Sequence, residues 1–301
     1  MKIDFIILFL YCWVIGSFEI VCFIISQHPA WRILNSFECG DSVADRIIGG
    51  TKAALGQFPW IVMLGYVYPD DKKIDWKCAG TLITDRLVIT AAHCIPEKED
   101  EHILKYVRLG EHDTNTNPDC ELSVCAPPVQ DRIIRRAIKH PFFNKPLFHN
   151  DIAIVQFTKP AQLTDYVTPI CLPQREDQLS PVVLGDLVTA AGWGKMNMTT
   201  NERAHVLQVV ALPVVRLEMC NVFGDEFKAD KSQICAGAQA NKDACGGDSG
   251  GPLMKVFDTN EGPKNFLVGV VSFGPAICGI KKPAVYSSVT YFLKWILNNI
   301  S

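Results

Sequence analysis

The feature of this 301-residue chain that most restricts its fold is a series of short apolar runs separated by turns. β-Branched residues fill these runs, and glycine or proline punctuates several of them, which is typical of strands. The runs lie at residues 60–66, 81–89, 151–157, 187–191, 206–213 and 266–271. Apolar residues at sustained helical spacing are found near the end of the chain, in residues 289–300. We therefore predict an all-β fold with a closing C-terminal helix.

Length and charge narrow the class further. The length and the hydrophobic content of 48% suffice for one large all-β unit or two smaller barrels around a shared cleft. The formal net charge is −3, close to neutral. No long basic tract is present, so nucleic acid is not expected as a partner. The short basic run at residues 132–136 indicates a solvated face, with an exosite for a protein substrate as the alternative. The polar segments 68–77 and 113–130 are predicted to be loops.

The N-terminal segment has the composition of a targeting sequence. Residues 5–25 are almost continuously apolar, so residues 1–25 are predicted to be a signal peptide of a secreted, extracellular protein without stable membrane association. A signal anchor is the alternative, because the run nearly spans a bilayer. Ten of the twelve cysteines follow this segment, and five disulfides would suit an oxidising compartment.

Three separate segments supply the parts of a nucleophilic site. Ser249 lies in the glycine-rich segment ACGGDSGGPL, residues 244–253, where glycines on both sides free the backbone to present a hydroxyl. His93 ends an apolar run, and Asp151 stands at the mouth of another. A serine needs a base to become a nucleophile, and the base needs a group that orients it. Each residue alone has a structural interpretation, as a surface serine, a core histidine or a turn former, but the combination indicates catalysis.

The order His93, Asp151, Ser249 and the local sequences TAAHC, NDIAIV and GDSGGP resemble the chymotrypsin-like or trypsin-like serine proteases. The resemblance extends from residue 47 to near the C-terminus. It implies a protease domain at residues 47–301, made of two six-stranded antiparallel β-barrels. The active site would lie in the cleft between the barrels, and a C-terminal helix would follow.

The resemblance also implies a mechanism. His93 would take the proton of Ser249 as the serine attacks a peptide carbonyl, and Asp151 would orient the imidazole. The backbone N–H groups of Gly247 and Ser249 would form the oxyanion hole. This chemistry needs no cofactor and no metal.

The sequence RIIGG at residues 46–50 resembles the activation site of the family. Without the resemblance it is a basic residue before a strand and a glycine turn. With it, an upstream trypsin-like protease would cut after Arg46 and free an α-amino group on Ile47, which would pair with Asp248. Residues 26–46 would then be a short leader or activation peptide, tethered to the body by Cys39.

Substrate choice is read from six positions that match the family's binding pocket: Asp243, Ala244, Ser272, Phe273, Gly274 and Ala284. A carboxylate at Asp243 selects a basic side chain, because an apolar one would leave the charge unpaired. Ala244 stands where some relatives carry serine, so we expect arginine to be preferred over lysine. Ala284 stands where the family usually has glycine, and its methyl group could weaken binding or change selectivity.

Disulfide pairing follows from the same resemblance, which leaves Cys120 with Cys125 as the fifth pair. The expected bonds are Cys39–Cys171, Cys78–Cys94, Cys120–Cys125, Cys220–Cys235 and Cys245–Cys278. Asn197 begins the sequon NMT and is a candidate glycosylation site.

The loop at residues 109–128 resembles that of arthropod clip-domain cascade proteases, although only Cys39 lies between the signal segment and Arg46, where a clip domain needs six cysteines. The expected partners are protein substrates, an upstream activating protease and serpin-type inhibitors. A digestive or venom protease and a low-activity binding cofactor are alternatives, but the intact triad argues against the last. A serine esterase that acts on small molecules is a further alternative, but its catalytic histidine would come last in the sequence, after the serine.

Acidic residues in this loop permit one further interpretation. Glu111, Asp113, Asp119 and Glu121 could supply oxygen ligands for calcium. Acidic loops are usually solvated, so we predict no metal site.

Overall fold

A computed structural model describes the protein at residues 25–43, 51–179, 182–194, 202–224, 226–238, 248–275 and 281–300. The strands are β1 Thr51–Lys52, β2 Ile61–Tyr68, β3 Asp71–Leu82, β4 Leu87–Thr90, β5 Ile103–Leu109, β6 Cys120–Glu121, β7 Val124–Cys125, β8 Gln130–Lys139, β9 Ala153–Phe157, β10 Leu187–Gly192, β11 Gln208–Val215, β12 Gln233–Gly237, β13 Pro252–Thr259, β14 Gly262–Phe273 and β15 Pro283–Ser288. The α-helices are α1 Trp31–Leu34, α2 Glu176–Leu179 and α3 Val289–Asn298, and 3₁₀ turns span Ala92–Cys94 and Leu217–Phe223.

The strands form two closed antiparallel barrels. The first has the order β2-β3-β4-β9-β8-β5 and closes on itself. The second has the order β11-β10-β13-β14-β15-β12 and closes through pairing of β12 with β11, while β1 adds to the outer edge of β11. The predicted fold class, two six-stranded antiparallel barrels, is therefore confirmed.

Helix α3 follows the second barrel and packs into the main hydrophobic core. Ser288 caps its N-terminus by accepting a hydrogen bond from the Tyr291 N–H at 3.4 Å. Phe292 lies in the same core cluster as the first-barrel residue Leu64, and its ring stacks edge-on against His140 at 5.2 Å. The predicted C-terminal helix is thus present, and it ties the two barrels together. No helix within the described ranges is both long and apolar enough to cross a membrane.

The prediction of a loop at residues 68–77 is wrong. Strand β2 continues to Tyr68, and β3 begins at Asp71 directly opposite it, so the segment is a hairpin. The polar residues at its start hide the alternation of Ile74 and Trp76, which both lie over Gly65 on the neighbouring strand.

The apolar run at residues 81–89 is two strands rather than one. Strand β3 ends at Leu82 and β4 begins at Leu87. Between them the Thr84 hydroxyl accepts hydrogen bonds from the N–H groups of Arg86 and Leu87, both at 3.1 Å. This local hydrogen bonding turns the chain.

The described N-terminal segment, residues 25–43, is docked on the body. Trp31 is only 5% exposed and belongs to the main core cluster. Cys39 forms a disulfide with Cys171 (S–S 2.04 Å), and the Gly40 backbone donates to the Pro169 carbonyl and accepts from the Asn265 N–H. The described residues also contain the disulfides Cys78–Cys94, Cys120–Cys125 and Cys220–Cys235. The expected pair Cys245–Cys278 lies outside the described residues.

Candidate active site

His93 is positioned by the end of a buried strand. All four residues of β4 are buried, and the chain then enters the 3₁₀ turn that carries the imidazole. The neighbouring Cys94 is bonded to Cys78 (S–S 2.03 Å), and its carbonyl accepts a hydrogen bond from the Tyr66 hydroxyl at 2.6 Å. The turn is therefore fixed from two sides, while 35% of the His93 side chain remains exposed to solvent.

Asp151 is the hydrogen-bonding centre of the site. Its carboxylate accepts from His93 Nδ1 at 2.7 Å, from the His93 backbone N–H at 2.9 Å and from the Ser272 hydroxyl at 2.5 Å. The Ser287 hydroxyl donates to the Asp151 carbonyl oxygen at 2.6 Å. Ser272 and Ser287 lie on β14 and β15, so the second barrel helps to orient an acid that belongs to the first.

Burial and hydrogen bonding have opposite effects on the protonation of this pair. Burial lowers the pKa of His93, but the hydrogen bond and the negative charge of Asp151 raise it more, and the pKa of His93 lies above its ordinary value. Burial raises the pKa of Asp151, yet donation from His93 and Ser272 lowers it below its ordinary value. At neutral pH the geometry thus favours an ionised Asp151 that can stabilise a protonated imidazole.

Ser249 lies where the two barrels meet. Its carbonyl accepts a hydrogen bond from the Ala79 N–H at 2.8 Å, and the N–H of Gly250 donates to the Val271 carbonyl at 2.8 Å. Gly250 has a φ of +79°, and a Cβ there would clash with the Thr90 hydroxyl, so only glycine fits. Strands β3 and β14 together hold the loop from opposite sides.

One sulfur atom lies close to both Ser249 and the imidazole. Cys94 Sγ lies 3.8 Å from His93 Nε2 and 3.6 Å from the Ser249 carbonyl oxygen. The structure therefore brings the three residues His93, Asp151 and Ser249 together, although they are far apart in the sequence.

The carboxylate of Asp248 lies in a cradle of two glycines. The Gly194 N–H donates to Asp248 Oδ1 at 2.7 Å, and a Cβ at either Gly192 or Gly194 would clash with the carboxylate. The cradle accepts this acid only because both positions lack a side chain.

The pocket positions are described only in part. Phe273 and Gly274 follow Ser272 at the end of β14, and Phe273 contacts Phe148 (ring centroids 5.1 Å apart). Ala284 is buried on β15 opposite Ala236. The other predicted site residues lie outside the described residues: Arg46, Ile47, Asn197, Asp243, Ala244 and Gly247.

Two clusters of the described residues have the composition of metal sites. Cys78, His93 and Cys94 lie close together, but their two sulfur atoms are bonded to each other and offer no thiolate. In the acidic loop, Asp119 accepts hydrogen bonds from the N–H groups of His112 and Asp113. Two protein donors thus share Asp119 Oδ2, an oxygen atom that a calcium ion would need.

Two antiparallel barrels are the fold of the trypsin-like proteases. A histidine–aspartate pair and a serine loop between the two barrels are the active site of that family. The Trypsin family model matches residues 47–296, so the chain belongs to this family and is a trypsin-like serine endopeptidase.

Individual relatives come from insect protease cascades. The chain is 40% identical to "Serine protease ea" of Drosophila melanogaster, over 87% of this chain and 69% of that protein. It is 38% identical to "Spaetzle-processing enzyme" of the same species, over 86% of this chain and 67% of that protein. Among solved structures, the Drosophila Grass clip serine protease of the Toll pathway superposes with a TM-score of 0.75 and 28% identity, covering 90% of this chain and 77% of that one. The predicted resemblance to clip-domain cascade proteases is confirmed.

Sequence reasoning missed two parts of the site. Ser272 is a predicted pocket wall, and its hydroxyl also donates a hydrogen bond to the Asp151 carboxylate, 121 residues away in the sequence, which was not predicted. Ser287 was not expected in the site at all. Nothing in the local sequence around either serine indicates this contact, because it depends on how the second barrel docks against the first.

Proposed function

We propose that the protein is a secreted serine endopeptidase, made as a zymogen, that cleaves protein substrates after arginine in an extracellular cascade. The observation that carries the proposal is the convergence of His93 and Asp151 with the Ser249 loop at the junction of the barrels. Upstream activating proteases and serpin-type inhibitors are its proposed partners, in line with the cascade relatives.

In the proposed mechanism His93 removes the proton of Ser249, and the resulting alkoxide attacks the scissile carbonyl. Asp151 keeps the imidazole in the productive tautomer and stabilises its positive charge, and the short bond from His93 Nδ1 supports this role. The N–H groups of Gly247 and Ser249 bind the oxyanion, a contribution of about 3–4 kcal/mol for each donor. The imidazolium then protonates the leaving amine, and water hydrolyses the acyl-enzyme.

Activation is proposed to depend on Asp248. Cutting after Arg46 creates an ammonium group on Ile47, and a buried ammonium is tolerated only beside a matching carboxylate. The contact of the Asp248 carboxylate with the Gly194 N–H, at 2.7 Å, supports this role, because it fixes the position of the acid. Since Asp248 directly precedes Ser249, ordering one orders the other.

The activation step is tested with the purified proenzyme. Cutting after Arg46 is expected to produce amidase activity on an arginyl peptide, while the uncuttable variant Arg46→Gln stays inactive under the same treatment. Equal activity before and after cutting would contradict the zymogen proposal.

Specificity is tested on arginyl, lysyl and phenylalanyl amides with the cut enzyme. Asp243 is expected to give arginine the highest kcat/KM, lysine a lower one and phenylalanine the lowest. The variant Ala284→Gly shows whether the methyl group restricts the pocket, since removing it should then improve KM for both basic substrates. Cleavage after phenylalanine at the arginine rate would overturn the tryptic assignment.

A further inference from the structure

An ion pair with no assigned role lies at the same end of the first barrel as the proposed base. Lys139, the last residue of β8, forms a salt bridge with Glu97, which follows His93 by four residues. We propose that Lys139 and Glu97 are a positioning pair for His93. The pair ties the loop behind the imidazole to the edge of the first barrel, and it holds a positive charge near the ring.

The register of the strands places this pair at the catalytic end of the barrel. Ala153 on β9 is opposite Lys139 on one side and opposite Thr90 on the other. Thr90 lies three residues before His93, and Ala153 lies two residues after Asp151. The three strands therefore deliver the lysine, the acid and the base to one edge, and the contact with Glu97 spans this edge.

The two members of the pair differ in exposure. The Lys139 side chain is 21% exposed and its ammonium lies 5.4 Å from the centre of the Phe143 ring, whereas Glu97 is 66% exposed. A lysine fixed in this way has a defined position relative to the imidazole. The exposed glutamate can be replaced without disturbing the core.

Several elements contribute titratable or charged groups around His93. They are Asp151 before β9, Lys139 on β8, Glu97 in the following loop, Asp248 beside Ser249 and Tyr66 on β2. Burial raises the pKa of Tyr66, so its hydroxyl stays neutral at neutral pH. Asp151 raises the pKa of His93, and Lys139 acts in the opposite direction.

Opposite charge changes should therefore shift the pKa of His93 in opposite directions. Removing the ammonium with Lys139→Met removes a repulsion and makes the imidazolium easier to form. Removing the carboxylate with Glu97→Gln leaves the ammonium uncompensated and makes it harder to form. A purely structural tie would give no such difference in sign.

The experiment measures the acid limb of kcat/KM against pH for the cut enzyme, which reports the ionisation of the free base. We expect Lys139→Met to move the acid limb to higher pH and Glu97→Gln to move it to lower pH, each by roughly 0.3 to 0.7 pH unit. Lys98→Met is the matched control, because Lys98 is an exposed lysine next to Glu97, and it should leave the limb in place. High salt should shrink both shifts.

The inference rests on the proposed role of His93, so a second measurement separates the two. The His93 imidazole is titrated by NMR in a Ser249→Ala background, where the same opposite shifts are expected without any need for activity. Absent or same-direction shifts overturn the pair's role. An equal shift in Lys98→Met also overturns it, since general charge would then suffice. If the proposed function is wrong instead, the cut enzyme will be inactive, while the His93 pKa still shifts in opposite directions in the two variants.

Discussion

Two buried carboxylates of the described chain, Asp151 and Glu111, have opposite properties. Asp151 is 4% exposed and Glu111 is 7% exposed, so both are removed from water. The pKa of Asp151 nevertheless lies below its ordinary value, whereas burial, with the nearby charge of Asp119, raises the pKa of Glu111 to about 7. Burial alone therefore does not decide whether an acid is ionised.

The difference lies in the donors. Three hydrogen bonds of 2.5–2.9 Å converge on the Asp151 carboxylate. Glu111 has longer contacts: the His112 N–H donates to it at 3.1 Å, and the Arg108 guanidinium forks onto Asp131 at 2.8 and 2.9 Å and reaches Glu111 at only 3.3 Å. The barrel thus keeps the Asp151 carboxylate ionised, whereas the surroundings of Glu111 favour its protonated form.

The comparison is tested most strongly by removing the charge at each position. Asp151→Asn should lower kcat by about 10⁴-fold, because the amide no longer holds the correct imidazole tautomer. The same change at the other acid, Glu111→Gln, should leave kcat/KM within about threefold, since no catalytic group depends on it. Amidase kinetics of the cut enzyme measure both. Equal losses in the two variants would contradict the distinction.

The second prediction concerns stability, measured by urea unfolding in a Ser249→Ala background to prevent autolysis. A folded pKa of about 7 for Glu111 lies above the unfolded value of 4.5, so the folded chain binds the proton more tightly. Its contribution is complete below pH 4.5 and is lost as the pH rises through 7, by roughly 3 kcal/mol.

Glu111→Gln should remove this part of the pH dependence between pH 4.5 and 8. The exposed control Glu99→Gln should retain the wild-type dependence. The pKa of His93 also lies above its ordinary value, but this contribution to the pH dependence is the same in all three proteins. An unchanged slope in Glu111→Gln would show that this acid is ionised throughout.

The smallest expected effect comes from a single donor to Asp151. Ser272→Ala removes the 2.5 Å hydrogen bond and should lower kcat about tenfold, with KM nearly unchanged. Steady-state kinetics separate the two constants. A rise in KM at constant kcat would place Ser272 in the substrate pocket rather than behind the acid.

The sequence was sufficient for the fold class and for the grouping of His93, Asp151 and Ser249, because the local sequences around all three resemble those of one protease family. It was not sufficient for contacts that join distant strands. Ser272 reaches Asp151 across 121 residues, and Lys139 reaches Glu97 across 42. Such contacts depend on how strands that are distant in the sequence pair in the barrels, which the residues next to each contact do not show.

Local errors have a similar physical origin. At residues 68–77 the polar composition favoured a loop, yet alternation of Ile74 and Trp76 against Gly65 stabilises a hairpin. The predicted domain boundaries, the glycan at Asn197 and the pairing of Ile47 with Asp248 remain predictions.

The central claim is that Ser249 is a nucleophile activated by His93 and switched on by cleavage after Arg46. Labelling with a fluorophosphonate, followed by peptide mapping, tests it directly. The account predicts rapid modification of Ser249 alone in the cut enzyme, slow modification of the uncut chain, and none in a cut His93→Ala variant. Modification of another serine, or equal labelling of Ser249 before and after the cut, would contradict it.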